Sequence, residues 1–390
     1  MKHILLLSLL LVVLPASSQK YTELGRTPPM GWNSRYAFGV DINEAVIRET
    51  ADALVQTGLS KLGYRYVVID DGWSAGRDEE GYLIPDPVKF PGGIKALADY
   101  VHSRGLKLGI YADAGLKTCA GFAGSRGYEY QDARTFARWG IDYLKYDWCN
   151  TGTQSAKDDY WLMADAIRKA GRPMILSICE WGKNEPWKWA KDIGHMWRTT
   201  YDISDTWDGK VKQGDIWNQL GWTLILDQQE GREVLSSAGA WNDPDMLTVG
   251  LGGMSVNEYR AHFSLWCMLA APLITSLDLR KADKTTLEIL GNEDAIAINQ
   301  DALGKQGYKV VDQGDYEVWT KDLEKGDVAY CFLNRSLTPM QLNVDWKKLG
   351  VKGFYKIKDI WSKKNVGTTQ SVFQAHLSGH DIIVLRLTKK

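Results

Sequence analysis

The chain has 390 residues, of which 44% are hydrophobic and 24% charged, a composition typical of a globular protein. Its 47 basic and 48 acidic side chains nearly cancel, which argues against nucleic acid or an anionic membrane surface as a partner. Five cysteines without a CxxC pair are too few for a disulfide scaffold and argue against a zinc site. We expect a near-neutral protein that holds no metal and no other cofactor.

Residues 1–18 have the pattern of a secretory signal peptide. Lys2 precedes an apolar run from Ile4 to Leu14, and Ala16 and Ser18 are small residues at cleavage spacing. The run is shorter than the roughly 20 apolar residues that a membrane span requires. We expect cleavage near Ser18 and a soluble, exported mature protein, either periplasmic or secreted, with no membrane partner.

From about residue 26, strand-like runs alternate with helical segments, a pattern typical of βα units around a parallel sheet. The eight candidate strands are residues 29–35, 64–73, 106–115, 141–150, 173–182, 195–203, 238–246 and 272–280. In the first connecting helix, Asp41 is the predicted N-cap and Gly58 the terminator. No Gly-rich phosphate loop follows the first strand, so the pattern favours a (β/α)8 TIM barrel over residues 19–302 rather than an open doubly wound sheet.

After residue 302 the pattern changes to short aromatic and β-branched runs separated by Gly, Asp, Asn or Lys. The candidate strands here are residues 316–323, 327–336, 340–346, 354–361 and 381–387. Such runs are typical of antiparallel strands. We therefore expect residues 303–390 to form a C-terminal antiparallel β-sandwich domain.

Charged residues stand near the carboxyl ends of six of the barrel strand candidates. They are Asp70 and Asp71, Asp113, Lys145 and Asp147, Glu180, Arg198 and Asp202, and Asp243 and Asp245. A single such residue is more often a helix cap or a surface ion pair. The repetition at one strand after another instead predicts a shared site at the mouth of the barrel, where barrel enzymes place their catalytic groups.

The same strand ends are rich in aromatic residues, namely Trp32, Trp73, Tyr111, Trp148, Trp181, Trp197, Trp207 and Trp241. Any one of these is as often core filler as a binding residue. Together with carboxylates, Lys and Arg, however, aromatic faces suit the apolar C–H faces and hydroxyls of a sugar. The set predicts carbohydrate chemistry rather than metal chemistry.

Hydrolysis of a glycosidic bond uses two carboxyl groups, one that attacks or stabilises the anomeric carbon and one that protonates the leaving oxygen. Lys145 lies two residues before Asp147, so both side chains leave the same face of the strand. We expect the ammonium group to lower the pKa of Asp147 and keep it ionised as a nucleophile. The residues alone leave Asp202, Asp205 and Asp243 open as the acid.

Seven motifs carry a resemblance to a known family. They are MGWNS (30–34), IDDGW (69–73), YADAGLKTCAGFAGS (111–125), LKYDWCN (144–150), CEWG (179–182), WR (197–198) followed by Asp202, and WNDPDML (241–247). In this order they resemble glycoside hydrolase family 27, the α-galactosidase family, over most of the chain. The resemblance implies a retaining double displacement on a carbohydrate with terminal α-galactose, catalysed on a (β/α)8 barrel that is followed by an antiparallel β domain.

The resemblance also implies roles for individual residues. Asp147 would be the nucleophile and Asp202 the acid/base, and Cys119 and Cys149 would form a disulfide. The implied substrate-binding residues are Trp32, Asp70, Asp71, Tyr111, Lys145, Glu180, Trp181, Arg198 and Met246. Cys179, Cys267 and Cys331 are expected to be buried free thiols.

Four alternatives remain open at this stage. Two lie within the family, a β-L-arabinopyranosidase and an α-N-acetylgalactosaminidase. The presence of both Asp70 and Asp71 favours galactose over arabinopyranose, and Glu180 would crowd an acetamide group. The other two are a non-catalytic galactoside-binding protein, which the presence of both catalytic carboxyl groups disfavours, and a metal-dependent hydrolase using the acidic clusters.

Overall fold

The computed structural model describes residues 19–213 and 217–390, so the predicted signal peptide lies outside the described residues. Eight parallel strands form one sheet. They are β1 (Met30–Asn33), β2 (Tyr66–Ile69), β3 (Lys107–Asp113), β4 (Tyr143–Asp147), β5 (Ile175–Cys179), β6 (Met196–Arg198), β7 (Trp241–Asp243) and β8 (Leu273–Thr275). Each lies within one of the eight predicted segments, which confirms the predicted strand order of the barrel.

The strand order in the sheet is β7-β6-β5-β4-β3-β2-β1-β8. The ends of this sheet meet just beyond β7, where Leu247 pairs in parallel with Thr275 and its amide donates a hydrogen bond of 2.8 Å to the carbonyl oxygen of Ile274. The strands pack closely, since a Cβ atom at Gly31 would collide with the carbonyl oxygen of Tyr66 on the neighbouring strand. This closed arrangement brings the carboxyl ends of all eight strands to one face.

Nine α-helices occur in the part of the chain that the structure describes. They are α1 (Arg35–Phe38), α2 (Glu44–Gln56), α3 (Gly93–Ser103), α4 (Glu129–Trp139), α5 (Ala156–Ala170), α6 (Trp222–Asp227), α7 (Val256–Met268), α8 (Lys284–Leu290) and α9 (Glu293–Asn299). None of them is long and apolar enough to cross a membrane. Two antiparallel hairpins extend the strand ends, Ser74–Arg77 with Leu83–Pro85 after β2 and Lys210–Gln213 with Trp217–Leu220 after β6.

The N-cap predicted for helix α2 is wrong. The cap is Asn43, whose side chain accepts a hydrogen bond of 3.0 Å from the amide of Val46. Asp41 lies two residues earlier and is exposed. Asp and Asn are both strong capping residues, so the sequence pattern alone could not separate the two positions.

The C-terminal domain has two antiparallel sheets. Its strands are β9 (Tyr308–Asp312), β10 (Tyr316–Asp322), β11 (Val328–Asn334), β12 (Met340–Val344), β13 (Tyr355–Asp359), β14 (Lys364–Thr368), β15 (Phe373–Leu377) and β16 (Asp381–Lys389). Six form a sheet in the order β9-β10-β11-β16-β13-β14, and β12 pairs with β15. This confirms the predicted β-sandwich. Sequence reasoning missed β9 and β14, whose side chains are mostly exposed, and β15, in which Phe373 and Leu377 are buried.

The two parts of the chain share packing and buried polar contacts. Helix α9 ends at Asn299 and β9 begins at Tyr308, and the predicted domain boundary after residue 302 falls between them. Lys321 of β10 is buried, and its ammonium group donates hydrogen bonds to the carbonyl oxygens of Ile298 (2.6 Å) and Cys267 (3.3 Å), near the ends of α9 and α7. Cations favour helix C-termini, so this side chain joins the sheet to two barrel helices.

The cap assignment predicts different effects for two neighbouring substitutions. Asn43→Ala removes the bond to the Val46 amide and should lower the free energy of unfolding by about 1 kcal/mol. Asp41→Ala, the matched control, should change it by less than about 0.5 kcal/mol. Urea denaturation followed by circular dichroism measures both, and a larger loss for Asp41→Ala would show that the cap is misassigned.

Candidate active site

A cavity of about 200 Å³ opens at the carboxyl ends of the barrel strands. Its wall is formed by Arg35, Tyr36, Asp70, Asp71, Tyr111, Cys119, Ala120, Lys145, Asp147, Cys179, Trp181, Arg198, Asp202 and Met246. Pockets for drug-sized ligands usually measure roughly 300 to 1,000 Å³. The smaller volume here suits a single compact ligand unit with many polar groups.

The wall contains every predicted catalytic and substrate-binding residue except Trp32 and Glu180. Trp32 is completely buried; its indole nitrogen donates a 2.7 Å hydrogen bond to the carbonyl oxygen of Leu277, and its ring packs edge-on against Phe38. The structure thus places Trp32 behind the wall, where it supports the loop that follows β8.

Glu180 is also turned away from the cavity. Its side chain is completely buried, and Oε2 accepts hydrogen bonds from the backbone amide (2.6 Å) and the side-chain amide (2.8 Å) of Asn184. Burial raises the pKa of Glu180 to about 7. The next residue, Trp181, has a positive φ of 56°, and this unusual conformation is held by a turn that Glu180 anchors.

The inner wall is organised around an ion pair between Asp70 and Lys145. The ammonium group of Lys145 lies 2.7 Å from Asp70 Oδ2, which also accepts a 2.9 Å bond from the side-chain amide of Asn33. Burial disfavours the charged form of Asp70, but Lys145 and Arg35 outweigh burial and lower its pKa. Asp70 is therefore an ionised acceptor in the cavity.

Asp71 ties the end of β2 to the loop that follows β3. Its carboxylate accepts a 2.9 Å hydrogen bond from its neighbour Gly72 and another of 2.9 Å from the amide of Ala120. Burial raises its pKa despite these bonds. The two acids are adjacent in sequence, yet a cation stabilises only the first.

Asp147 lies at the end of β4 with only 5% of its surface exposed. One oxygen accepts a 3.0 Å hydrogen bond from the amide of Trp148. The expectation that Lys145 sets a low pKa for this carboxyl group is wrong, because the ammonium group is bonded to Asp70. Burial raises the pKa of Asp147 more than Lys145 lowers it, and Asp202 raises it further.

Asp113, at the end of β3, is a second buried carboxyl group beside Asp147. The oxygens of the two groups lie within 4.8 Å of each other. Asp113 accepts hydrogen bonds from the amides of Gly115 (2.7 Å) and Cys149 (3.0 Å). Burial, and then the charge of Asp147, strongly raise the pKa of Asp113, so it is protonated when Asp147 is ionised.

A disulfide between Cys119 and Cys149 lies against these two acids. The sulfur of Cys119 is 3.5 Å from Asp147 Oδ2. Four potential ligand atoms, from Asp113, Asp147 and the two cysteines, come within 4.8 Å of one another. Disulfide sulfurs are not thiolates, however, so this set does not offer the donors that a zinc site uses.

On the opposite side of the cavity, the guanidinium group of Arg198 joins two carboxyl groups. One of its terminal nitrogens lies 3.0 Å from Asp202 Oδ1 and 3.0 Å from Asp245 Oδ2. Asp245 also accepts hydrogen bonds from the hydroxyl of Tyr36 (3.0 Å) and the amide of Ile203 (2.8 Å). The side chain of Asp202 is 31% exposed and opens into the cavity, whereas Asp245 lies buried behind it.

Sequence reasoning missed Arg35, Tyr36, Ala120 and Cys179 as wall residues. Alternation along a strand could have identified Cys179, because residues two apart leave the same face. Cys179 ends β5 beside Asp147 of β4, and it lines the cavity together with Trp181, while Glu180 between them points away. Arg35 and Tyr36 directly follow the MGWNS motif, at a strand end where charge and aromatic side chains also signal a site.

A closed barrel whose mouth holds a cavity lined by several carboxyl groups, a lysine and arginines is the architecture of a barrel glycoside hydrolase. Residues 27–301 match the family model described as Alpha galactosidase A, and residues 313–387 match the model described as Alpha galactosidase C-terminal beta sandwich domain. The chain belongs to the α-galactosidase family.

Individual relatives cover nearly the whole chain. Alpha-galactosidase A of Cellvibrio japonicus is 48% identical, with 99% of this chain and 98% of the relative aligned. The crystal structure of α-galactosidase I from Mortierella vinacea has a TM-score of 0.91 at 34% identity, covering 95% of this chain and 98% of the other. The structure of the α-galactosidase from Saccharomyces cerevisiae with raffinose has a TM-score of 0.89 at 28% identity, covering 95% and 99%.

We expect the disulfide to contribute measurably to the free energy of unfolding. Replacing both cysteines by alanine (Cys119→Ala with Cys149→Ala) should lower the free energy of unfolding by about 3 kcal/mol, because the unfolded chain loses a cross-link. Urea denaturation of the wild type with and without a reductant supplies the comparison. Reductant should shift the midpoint of the wild type and leave that of the double variant in place; an equal shift in both proteins would contradict this.

Proposed function

We propose that this protein removes terminal α-D-galactosyl residues from oligosaccharides, polysaccharides or glycoconjugates by double displacement, with Asp147 as the nucleophile and Asp202 as the acid/base. The observation that carries the proposal is that both carboxyl groups line one cavity in a chain of the α-galactosidase family. No cofactor takes part in this chemistry. The raffinose bound by the yeast neighbour is one substrate of the proposed class.

In the first step, an oxygen of Asp147 attacks the anomeric carbon while the bond from that carbon to the leaving oxygen breaks. Asp202, in its protonated form, gives its proton to the leaving oxygen, so the leaving group departs as an alcohol. The amide of Trp148 holds the attacking carboxylate in place. The product of this step is a galactosyl ester of Asp147.

In the second step, Asp202 accepts a proton from water, and the water oxygen attacks the anomeric carbon. The ester bond to Asp147 breaks and free galactose forms with its original anomeric configuration. Arg198 keeps one oxygen of Asp202 fixed through both steps. This contact orients the group that must act first as an acid and then as a base.

The remaining wall residues are proposed to bind the sugar. Asp70 and Asp71 accept hydrogen bonds from the 4- and 6-hydroxyls, and Lys145 donates to an adjacent hydroxyl. Tyr111, Trp181, Arg198 and Met246 complete the binding surface. We assign Glu180 a positioning role through the turn that carries Trp181, and Trp32 a supporting role behind the wall, because neither side chain lines the cavity.

We also propose that the protein is exported. The pattern of residues 1–18 is that of a signal peptide. The disulfide between Cys119 and Cys149 supports export, since such bonds persist mainly in oxidising compartments. A periplasmic location and a secreted location are both consistent with these observations.

The two catalytic roles predict that an added nucleophile forms opposite anomers when one or the other carboxyl group is removed. Asp147→Ala and Asp202→Ala should each lower kcat for p-nitrophenyl α-D-galactopyranoside by at least about 10²-fold. Sodium azide added to Asp202→Ala should give α-galactosyl azide. Azide with Asp147→Ala should give β-galactosyl azide, because only one displacement occurs. The anomers are assigned by NMR; reversed anomers would contradict the roles, and full activity of Asp147→Ala would overturn the proposed function.

The electrostatics of the nucleophile predict the pH profile. Asp147 attacks only when ionised, so kcat/KM should fall as pH drops through its pKa, which lies above the usual aspartate value because of burial. Lys145→Gln removes a nearby cation and should move this acid limb to higher pH. Rates are measured from pH 4 to 8, with circular dichroism as a control for folding. A limb that stays in place or moves to lower pH would contradict this account of Asp147.

A further inference from the structure

We propose that Tyr201 and Lys183 form a binding site for the sugar ring that carries the leaving oxygen, so that the enzyme favours substrates in which galactose is attached to another pyranose. This inference rests on the proposed function, because it places the leaving group on the side of Asp202. It adds a second ligand unit to the galactose cavity, and it assigns residues that lie outside the cavity wall.

The position of Tyr201 follows from its two chain neighbours. Thr200 is 1% exposed and points into the protein, whereas Asp202 lines the cavity. Tyr201 lies between them and is 40% exposed. The acid must approach the leaving oxygen from the side where the leaving group sits. A large ring next to that acid is therefore a neighbour of the leaving group.

Lys183 connects this ring to the cavity. Its ammonium nitrogen lies 5.6 Å from the centroid of the Tyr201 ring and 4.5 Å from the centroid of the Trp181 ring. Trp181 is part of the cavity wall. Since one ammonium group contacts both rings, Tyr201 lies on the rim of the same cavity and does not face a separate surface.

The chemistry of this rim suits a pyranose. The face of a tyrosine ring packs against the C–H face of a sugar, as aromatic rings do in carbohydrate sites. Lys183 is an exposed residue, and an ammonium group has three N–H donors for ring hydroxyls. A simple alkyl leaving group is too small to cover the Tyr201 ring or to accept these hydrogen bonds from Lys183.

The test compares two substrates that need the same proton from Asp202 but differ in their leaving group. Raffinose carries a pyranose there, and methyl α-D-galactopyranoside carries only a methyl group. For Tyr201→Ala, the ratio of kcat/KM on raffinose to kcat/KM on the methyl galactoside should fall about fivefold to tenfold. Tyr201→Phe keeps the ring and should retain a ratio close to that of the wild type.

Tyr308→Ala serves as the matched control. Tyr308 is also 40% exposed but lies in the C-terminal domain, so its removal should leave the ratio unchanged. An unchanged ratio in Tyr201→Ala would overturn the inference. Equal losses on both substrates would also overturn it and show that Tyr201 only positions Asp202. Neither result would affect the proposed function, which fails instead if the wild-type protein hydrolyses neither substrate.

Discussion

The site depends on how a small number of cations is shared among many buried acids. An ionised group in a dry interior costs several kcal/mol unless it is paired and hydrogen-bonded. Within the described part of the cavity, Lys145 stabilises Asp70, and Arg198 lies between Asp202 and Asp245. Lys145 keeps Asp70 ionised by lowering its pKa, whereas burial keeps the pKa of Asp245 raised although Arg198 lies beside it.

Acids without a bonded cation keep their protons more readily. Burial raises the pKa of Asp243 to about 6, and it raises the pKa of Asp113 strongly. Asp113 then contributes little negative charge beside Asp147, so the proposed nucleophile can ionise although another carboxyl group is within 4.8 Å. The raised pKa of Asp113 is thus a condition for the charge on Asp147. The carboxyl group of Asp113 also accepts hydrogen bonds from the amides of Gly115 and Cys149, which hold the loops that carry the disulfide.

Contacts with the surrounding helices and loops hold these charged groups in fixed positions. Asp245 has a positive φ of 87° and receives hydrogen bonds from Tyr36 of helix α1 and from Ile203 in the loop after β6. Its carbonyl oxygen accepts a 2.8 Å bond from the indole of Trp266 in helix α7. Helix α7 in turn contacts the C-terminal domain, for example through Glu258 and His380 at 2.7 Å. The β-sandwich therefore supports, from behind, the side of the cavity that holds Asp202 and Asp245.

Sequence patterns predicted the eight barrel strands, because each is a short apolar run between helical segments. They also located the strand ends where the site forms. They could not predict that Lys145 bonds Asp70 rather than Asp147. Lys145 lies on β4 and Asp70 follows β2, with β3 between them, so this contact depends on how the strands are staggered in the closed barrel. Glu180 shows a second limit. A motif match preserves the residue but does not reveal which way its side chain turns.

The interior of the cavity and its rim differ in how freely they can change. Substitution of Asp70 or Arg198 leaves a buried partner charge unpaired, which is strongly destabilising. Tyr201 and Lys183 are exposed, and exposed substitutions usually change stability by less than about 0.5 kcal/mol. The interior of the cavity is therefore constrained by folding as well as by its proposed role in catalysis. Under the proposed assignment, substitutions on the rim can change the preference among galactosides at little cost in stability.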